Sequence, residues 1–144
     1  MTKMESPALL QVQDLKKYFP LRGGIFNREV GQVHAVDGVS FTIQSGETLG
    51  MVGESGCGKS TVGRTLIRLY DPTAGQVFFE GKNLANLSHR EMRGIRRHMQ
   101  MIFQDPYDSL NSRHAVGTIL EEPFIIHGIG TEAERKKEVA RLLE

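Results

Sequence analysis

The sequence has few of the features that mark secreted, membrane-spanning or nucleic-acid-binding proteins. Its 144 residues include a single cysteine, Cys57, which excludes an internal disulfide and a multi-cysteine zinc site. Lysine and arginine total 18 against 17 acidic residues, and this near balance argues against a dedicated nucleic-acid binder. No apolar run reaches the roughly 18 residues that a membrane span needs, and the N-terminus has no apolar signal region. We therefore expect a globular chain in the cytoplasm that binds no nucleic acid.

Apolar periodicity predicts a mixture of strands and helices, which is an α/β fold. Two segments, 47–52 and 99–103, are mostly apolar, which is typical of strands buried on both faces of a parallel sheet. The remaining predicted strands cover 8–15, 33–36, 39–44 and 76–81, and the predicted helices cover 60–70, 88–98, 115–128 and 131–144. Non-regular structure is predicted over 20–32 (a loop or hairpin connection), at the turns Asp37-Gly38 and Ser45-Gly46, and over 104–113.

Two of the predicted helices begin with a capping box. In each, a hydroxyl residue is followed three positions later by glutamate, as in the pairs Ser88/Glu91 and Thr131/Glu134. The last helix reaches Glu144 with no Gly, Asn or Pro stop signal. We therefore interpret the sequence as the N-terminal part of a longer protein.

Residues 53–60 read GESGCGKS and match the phosphate-binding pattern G-x-x-x-x-G-K-[ST] in full. The glycines let the backbone curl so that N–H groups point into one concavity, at the start of a helix whose N-terminus attracts anions. We expect Lys59 to reach the β- and γ-phosphates and the Ser60 hydroxyl to bind Mg²⁺. Cys57 fills a free position of the loop, where small size explains it better than redox chemistry does. The predicted nucleotide-binding residues are Gly53, Ser55, Gly56, Cys57, Gly58, Lys59, Ser60 and Thr61.

The sequence on either side of this loop narrows the range of protein families to which the chain could belong. The guanine-specifying pattern N-K-x-D is absent, which excludes a small GTPase. The ordered segments GESGCGKST, DPTAGQVFFEGKNL and MQMIFQDPYDSLNSR resemble the ATP-binding subunit of an ATP-binding cassette (ABC) transporter. They are especially similar to the oligopeptide/dipeptide importer ATPases, and the similarity covers essentially the whole chain. One departure is Ser112, which stands where this subfamily commonly has proline.

The resemblance implies a P-loop NTPase (RecA-like) core with an antiparallel β subdomain and the start of a helical subdomain, truncated. Its expected parts are a β subdomain with the first core strands over about 8–52, a P-loop core over 53–103, and the Q-loop with the start of the helical subdomain over 104–144.

The resemblance also implies site residues outside the phosphate loop. The aromatic residue that stacks on adenine falls at Phe19, with the adjacent Tyr18 as the alternative. Gln104 matches the Q-loop glutamine, which reaches Mg²⁺ or the attacking water. The implied catalytic residues are therefore Lys59 and Gln104, and the implied Mg²⁺ ligands are Ser60 and Gln104.

By resemblance, the protein couples ATP binding and hydrolysis to the uptake of oligopeptides or dipeptides at the cytoplasmic face of the membrane. The implied partners are transmembrane permease subunits, a second ABC ATPase subunit and, indirectly, a solute-binding protein. The sequence contains no LSGGQ signature, Walker B carboxylates or switch histidine, so we expect this chain alone to bind Mg-ATP without turnover. The alternatives are a non-catalytic nucleotide-binding fragment, an ABC ATPase for another solute such as nickel, and a non-transport ABC ATPase.

Overall fold

The computed structural model describes residues 8–25, 27–104 and 110–144. The chain divides into two compact units, Met1–Met101 and Ile102–Glu144. The first unit contains β1 (Leu10–Gly23), β2 (Arg28–Ile43), α1 (Lys59–Leu66), β3 (Ala74–Phe79), β4 (Lys82–Asn83), a 3₁₀ turn (Leu84–Asn86) and α2 (His89–Ile95). The second unit contains α3 (Val116–Ile126) and α4 (Glu132–Leu143). The segment predicted to be rich in turns, 104–113, lies partly outside the described residues because 105–109 are not among them.

The first unit is organised around an antiparallel sheet with the strand order β2-β1-β3-β4. β1 pairs with β2 along nearly its whole length and with β3 on its other edge. One face of this sheet is buried against α1 and α2, which contribute Val62 and Met92 to the core. The buried core residues from the strands and the 3₁₀ turn are Leu10, Val12, Leu15, Val36, Val77, Phe79 and Leu84.

The turn predicted at Asp37-Gly38 is wrong, because β2 runs through both residues without a break. Asp37 pairs with Lys16 and Val39 pairs with Leu15, which leaves Gly38 as an extra residue on β2. The backbone of Gly38 has φ +78°, in the left-handed region that favours glycine. One type of β-bulge also has a glycine in this conformation, so Asp-Gly indicates either a turn or a bulge. The Ser45-Gly46 turn is confirmed, and its glycine also has positive φ.

The strands predicted over 47–52 and 99–103 are also wrong. Neither segment has regular structure, and the side chain of Val52 is 98% exposed. A strand of a parallel sheet exists only when a neighbouring backbone accepts and donates its hydrogen bonds. The strands in the described part of the chain all pair antiparallel with one another, and none of them pairs with either of these two segments.

Both capping boxes are confirmed. The Glu91 amide donates to Ser88 Oγ at 3.3 Å, and the Ser88 amide donates to Glu91 Oε2 at 2.8 Å. The corresponding distances for Thr131 and Glu134 are 3.4 and 2.7 Å. Hydrogen bonds from the capping residues lower the pKa of both glutamates. In the second unit, an ion pair of 2.9 Å between Arg135 and Glu121 joins α4 to α3.

Helix α1 ends four residues earlier than predicted, at Leu66, and two arginines hold its end in place. Arg68 has φ +52° and turns the chain out of the helix. Its guanidinium donates to the carbonyl oxygens of Leu84 and Leu87 at 2.8 and 2.7 Å. Arg96 in turn donates to the Arg68 carbonyl oxygen at 2.7 Å. The C-terminal end of α1 is therefore fixed to its neighbours, and its N-terminal end carries the preceding loop. No helix in the described part of the chain is long and apolar enough to cross a bilayer.

Candidate functional site

The phosphate-loop sequence forms a tight, irregular loop that leads directly into α1. Gly56 and Gly58 have φ values of +82° and +96°, which a residue with a side chain rarely adopts. The Cys57 amide donates to the Glu54 carbonyl oxygen at 3.3 Å and closes the turn. The Val62 amide then donates to the Gly58 carbonyl oxygen at 2.9 Å as the first helical hydrogen bond. The remaining amides at the start of α1 have no partner within the helix and can serve an anion.

Gly58 is in close contact with the backbone of β2. A Cβ atom at position 58 would overlap the carbonyl oxygen of Ala35. Ala35 is itself an extra residue of β2, because Val36 pairs with Lys17 while His34 pairs with Tyr18. A bulge frees one residue from the ladder and redirects the chain on either side of it. The bulge at Ala35 thus brings the backbone of β2 against the loop.

The Lys59 ammonium lies inside the curve of the loop. Its Nζ donates to the carbonyl oxygens of Gly53 and Glu54, each at 2.6 Å, and lies 3.5 Å from Cys57 Sγ. None of the ion pairs found among the described residues involves Lys59. Because these carbonyl oxygens are neutral, they do not cancel the positive charge, which can attract an anionic ligand. The loop therefore combines one uncompensated cation with free amides.

A cavity of about 400 Å³ lies beside this loop. It is lined by Cys57, Gly58 and Lys59 of the loop and by the β2 residues His34–Asp37, with Met51, Val52 and Val62 also in the lining. All of these residues belong to the first unit. A cavity of this volume with a lysine in its lining can accept a phosphorylated ligand.

Tyr18 contacts two of the residues that line the cavity. Its ring stacks on His34 with 3.9 Å between centroids and 12° between planes. Its hydroxyl donates to Asp37 Oδ1 at 2.6 Å. This hydrogen bond raises the pKa of Tyr18 above its ordinary value and lowers that of Asp37. Sequence reasoning missed His34 and Asp37, since neither belongs to a recognisable motif and only the strand register brings them to Tyr18.

Phe19 has different neighbours, because adjacent residues of a strand point to opposite faces. Its ring meets Tyr70 edge to face with 5.3 Å between centroids, and Lys17 Nζ lies 4.9 Å from the ring centre. None of these three residues lines the cavity, and neither does Tyr18 itself. The adenine-stacking role assigned to Phe19 stays a prediction, with Tyr18 as its alternative.

The residues predicted to bind Mg²⁺ lie in different units. Ser60 is exposed in the first turn of α1, and Gln104 is exposed in a bend of the second unit. In the described ranges, no three His, Cys, Asp or Glu side chains converge as a metal site. Mg²⁺ commonly takes few protein ligands and completes its shell with phosphate oxygens and water. A single accessible hydroxyl at the start of α1 fits that mode of binding, and the role of Gln104 stays a prediction.

Comparison with known proteins decides the family. A family model described as ABC transporter matches residues 36–144, which include the whole loop and α1. The chain belongs to the ABC transporter family. The α/β P-loop NTPase fold predicted from the sequence is confirmed, and the nucleotide-binding role of the glycine loop stays a prediction.

Several curated relatives are similar over most of the chain. The oligopeptide transport ATP-binding protein AppF of Bacillus subtilis is 54% identical over 144 residues, or 99% of this chain and 44% of AppF. The probable peptide ABC transporter ATP-binding protein y4tS of Sinorhizobium fredii is 56% identical over 82% of this chain and 33% of y4tS. The glutathione import ATP-binding protein GsiA of Salmonella paratyphi A is 48% identical over 99% of this chain and 23% of GsiA. The chain thus spans less than half of the length of each relative.

Solved structures confirm the fold. The dimeric bacterial ABC transporter cassette MJ0796 matches with a TM-score of 0.70 at 25% identity, over 89% of this chain and 53% of that one. A post-hydrolysis dimer of the same cassette, bound to ADP and Pi, matches with a TM-score of 0.73 at 24% identity, over 92% of this chain and 54% of that one. The fold is therefore shared with a cassette whose structure has been solved with ADP and Pi bound.

Proposed function

We propose that this chain forms the nucleotide-binding part of an ATP-driven importer of small peptides. The observation that carries the proposal is the Lys59 ammonium, which lies uncompensated in a glycine loop beside a cavity in a chain of the ABC transporter family. ATP would place its phosphates at this loop. The site would act by positioning and by stabilising negative charge, as phosphoryl-transfer sites do.

The phosphate end of the site would use three kinds of group. Lys59 would exchange its bonds to the Gly53 and Glu54 carbonyl oxygens for bonds to phosphate oxygens. The amides over 55–61 would donate at the start of α1, where the helix dipole adds positive potential. The Ser60 hydroxyl would bind Mg²⁺, which when bound neutralises charge on the β- and γ-phosphates.

We infer that Tyr18, rather than Phe19, offers its ring to the nucleobase. Both direct partners of Tyr18, His34 and Asp37, line the cavity that also contains Lys59, whereas the partners of Phe19 do not. A planar ring is a sequence-tolerant stacking surface for a purine.

The names of the relatives support small peptides as the transported solute. AppF and y4tS are named for oligopeptide and peptide transport, and GsiA is named for import of glutathione, which is a tripeptide. In the whole protein, ATP binding and hydrolysis would drive transmembrane permease subunits from the cytoplasmic face of the membrane. A second ABC ATPase subunit would complete the importer.

The proposal is tested by titrating the chain with Mg-ATP in a calorimeter. Lys59→Ala should weaken binding by at least about tenfold, because it removes the one full positive charge in the loop. Lys82→Ala, which removes an exposed lysine of β4, is the matched control and should bind as the unmodified chain does. Lys59→Arg should also bind poorly, since a forked guanidinium does not fit where a compact ammonium sits. Equal affinities for Lys59→Ala and Lys82→Ala would overturn the assignment.

A further inference from the structure

Asp37 is the only acidic side chain among the described residues that line the cavity beside the phosphate loop. The bulge at Ala35 decides which face of the sheet it lies on. In a regular strand, residues three apart point to opposite faces, so His34 and Asp37 would be separated by the sheet. The extra residue returns both to the face of Tyr18. The cavity therefore has a carboxylate in its lining as well as the Lys59 ammonium.

The two oxygens of the Asp37 carboxylate have different surroundings. Oδ1 accepts the hydrogen bond from the Tyr18 hydroxyl and lies 3.7 Å from Lys16 Nζ. Oδ2 lies 3.8 Å from His34 Nδ1, which is too far for a hydrogen bond. Within the ranges that the structure describes, no hydrogen bond to Oδ2 is found. The carboxylate thus keeps an acceptor oxygen for a donor group of a ligand.

The charge of Asp37 decides which part of a nucleotide it can contact. The Tyr18 hydrogen bond, followed by the charges of Lys16 and His34, lowers the pKa of Asp37, so the carboxylate is ionised at neutral pH. An ionised carboxylate accepts hydrogen bonds and donates none. Phosphate oxygens are also negatively charged acceptors, and they would be repelled. The donors that ATP offers are its two ribose hydroxyls and the amino group of adenine.

The distance from the phosphate loop favours the ribose over the adenine amino group. The Ala35 carbonyl oxygen touches the backbone of Gly58 in the loop. Asp37 is two residues further along β2, which corresponds to at most about 7 Å of extended chain. In ATP the ribose is joined directly to the phosphates, whereas the amino group lies at the far end of the base. A carboxylate this close to the loop is therefore within the range of the sugar.

We propose that Asp37 accepts a hydrogen bond from a ribose hydroxyl of the bound nucleotide, and that it makes the site prefer ribonucleotides to nucleotides that lack these hydroxyls. This assignment rests on the proposed function, because it needs the phosphates to lie at Lys59. It does not depend on which aromatic ring stacks on the base. Carboxylates recognise ribose hydroxyls in the same way in dinucleotide-binding folds.

The test compares Mg-ATP with the magnesium complex of dideoxy-ATP, which has the same base and phosphates but neither ribose hydroxyl. In calorimetry the unmodified chain should bind Mg-ATP about tenfold more tightly, the size expected for one hydrogen bond to a charged acceptor. Asp37→Ala should bind the two nucleotides equally. Asp14→Ala is the matched control, because it removes a carboxylate that lies 3.8 Å from Lys16 but does not line the cavity. This variant should keep the preference for Mg-ATP.

Two further variants separate the ribose contact from the bond between Asp37 and Tyr18. Tyr18→Phe removes the phenol hydroxyl and leaves the carboxylate, so the preference for Mg-ATP over the dideoxy analogue should remain. Asp37→Asn keeps an oxygen that accepts from Tyr18 but loses the charge, so it should lower the preference, and it serves the test if Asp37→Ala does not fold. Magnesium tripolyphosphate, which has the phosphates alone, should bind Asp37→Ala at least as tightly as the unmodified chain, since a negative charge has been removed.

Several results would overturn the assignment. The first is an unmodified chain that binds Mg-ATP and the dideoxy analogue equally, and the second is an undiminished preference in Asp37→Ala. Loss of the preference in Asp14→Ala or Tyr18→Phe would also overturn it, because the preference would then depend on the local fold. Mg-ITP, which lacks the adenine amino group, tests the other donor. If Asp37→Ala loses discrimination against ITP and keeps discrimination against the dideoxy analogue, Asp37 contacts the base and not the ribose.

Failure of the proposed function gives a different pattern. The unmodified chain would then bind neither Mg-ATP nor magnesium tripolyphosphate, or Lys59→Ala would bind both as tightly as the unmodified chain. In either case the ribose contact would fall with the phosphate site. A chain that binds both ligands through Lys59 and ignores the ribose hydroxyls would remove the role of Asp37 alone.

Discussion

Gly58 of the phosphate loop and Ala35 of β2 touch through their backbones, with no room for a Cβ atom between them. The contact joins the phosphate loop, which a sequence motif identifies, to a strand residue that is part of no sequence motif. It also distinguishes two glycines of the loop whose roles cannot be told apart from the sequence alone. Gly56 and Gly58 both have positive φ, but a Cβ atom at Gly56 would meet nothing within 4 Å.

The first prediction uses this pair of glycines. Gly56→Ala adds only the strain of a left-handed backbone, about 1–2 kcal/mol. Gly58→Ala adds the same strain and also pushes the loop away from β2, so we expect a loss of about 3 kcal/mol or more. Urea unfolding of the two variants measures the difference. Equal losses would mean that the contact with Ala35 does not constrain the loop.

The second prediction concerns the nucleobase and uses the absence of tryptophan from the chain. Tyr18→Trp and Phe19→Trp each introduce a single indole at neighbouring positions. ATP should change the fluorescence of Tyr18→Trp, because the base stacks on the indole, while Phe19→Trp should respond little. Tripolyphosphate should leave both unchanged. A response confined to Phe19→Trp would return the adenine-stacking role to Phe19.

The third prediction concerns pH. The Tyr18 hydroxyl, and then the charges of Lys16 and His34, lower the pKa of Asp37. Because the folded-state pKa lies below the unfolded one, the stabilisation is complete above about pH 4 and is lost as the pH falls through the folded-state value. Asp37→Asn should therefore flatten the acid limb of a plot of unfolding free energy against pH. An acid limb identical to that of the unmodified chain would contradict the hydrogen bond.

The same hydrogen bond has an alkaline counterpart. It raises the pKa of Tyr18, so its stabilisation is complete below about pH 10 and is lost as the pH rises through the folded-state value. Asp37→Ala should bring the Tyr18 titration down toward its ordinary range, as followed by NMR of labelled tyrosine. Tyr70, which has no contact with Asp37 among those found, is the internal reference.

The fourth prediction concerns the end of α1. The Arg68 side chain is 13% exposed and satisfies the carbonyl oxygens of Leu84 and Leu87. Arg68→Ala leaves both acceptors without their donor and should cost about 2 kcal/mol of stability. Arg93→Ala, on the exposed face of α2, is the matched control and should change stability by less than about 0.5 kcal/mol. Thermal or urea unfolding distinguishes the two, and similar losses would refute the role of Arg68.

The fifth prediction concerns turnover. The sequence contains the phosphate loop but no LSGGQ signature or Walker B carboxylates, so little would stabilise the transition state. Phosphate release by this chain should equal that of its Lys59→Ala variant in a coupled assay. Steady release that Lys59→Ala abolishes would show that the chain is a complete catalyst.

The features that the sequence predicted correctly are those encoded within a few residues. Ser88 and Glu91 meet because they stand three positions apart at the start of a helix, whatever the rest of the chain does. The irregular glycine loop followed by a helix at Lys59 is local in the same sense.

The features that sequence reasoning missed depend on distant partners. Segment 47–52 has a strand's composition, but composition does not supply the neighbouring backbone that a strand needs. His34 and Asp37 reach Tyr18 only through the register between β1 and β2, which the bulge at Ala35 shifts by one residue. Because register depends on the whole ladder, no window of sequence around Tyr18 predicts these contacts.

Because of the bulge at Ala35, the tip of the long β1–β2 hairpin tolerates inserted residues better than the part of β2 beside the phosphate loop does. A residue inserted near Gly24, at the exposed tip, would lengthen the connection and leave the paired strands as they are. A residue inserted or deleted between His34 and Asp37 would reverse the faces of everything beyond it on β2. Evolution and protein engineering can therefore lengthen the tip freely, while the four-residue stretch beside the loop is locked to a single length.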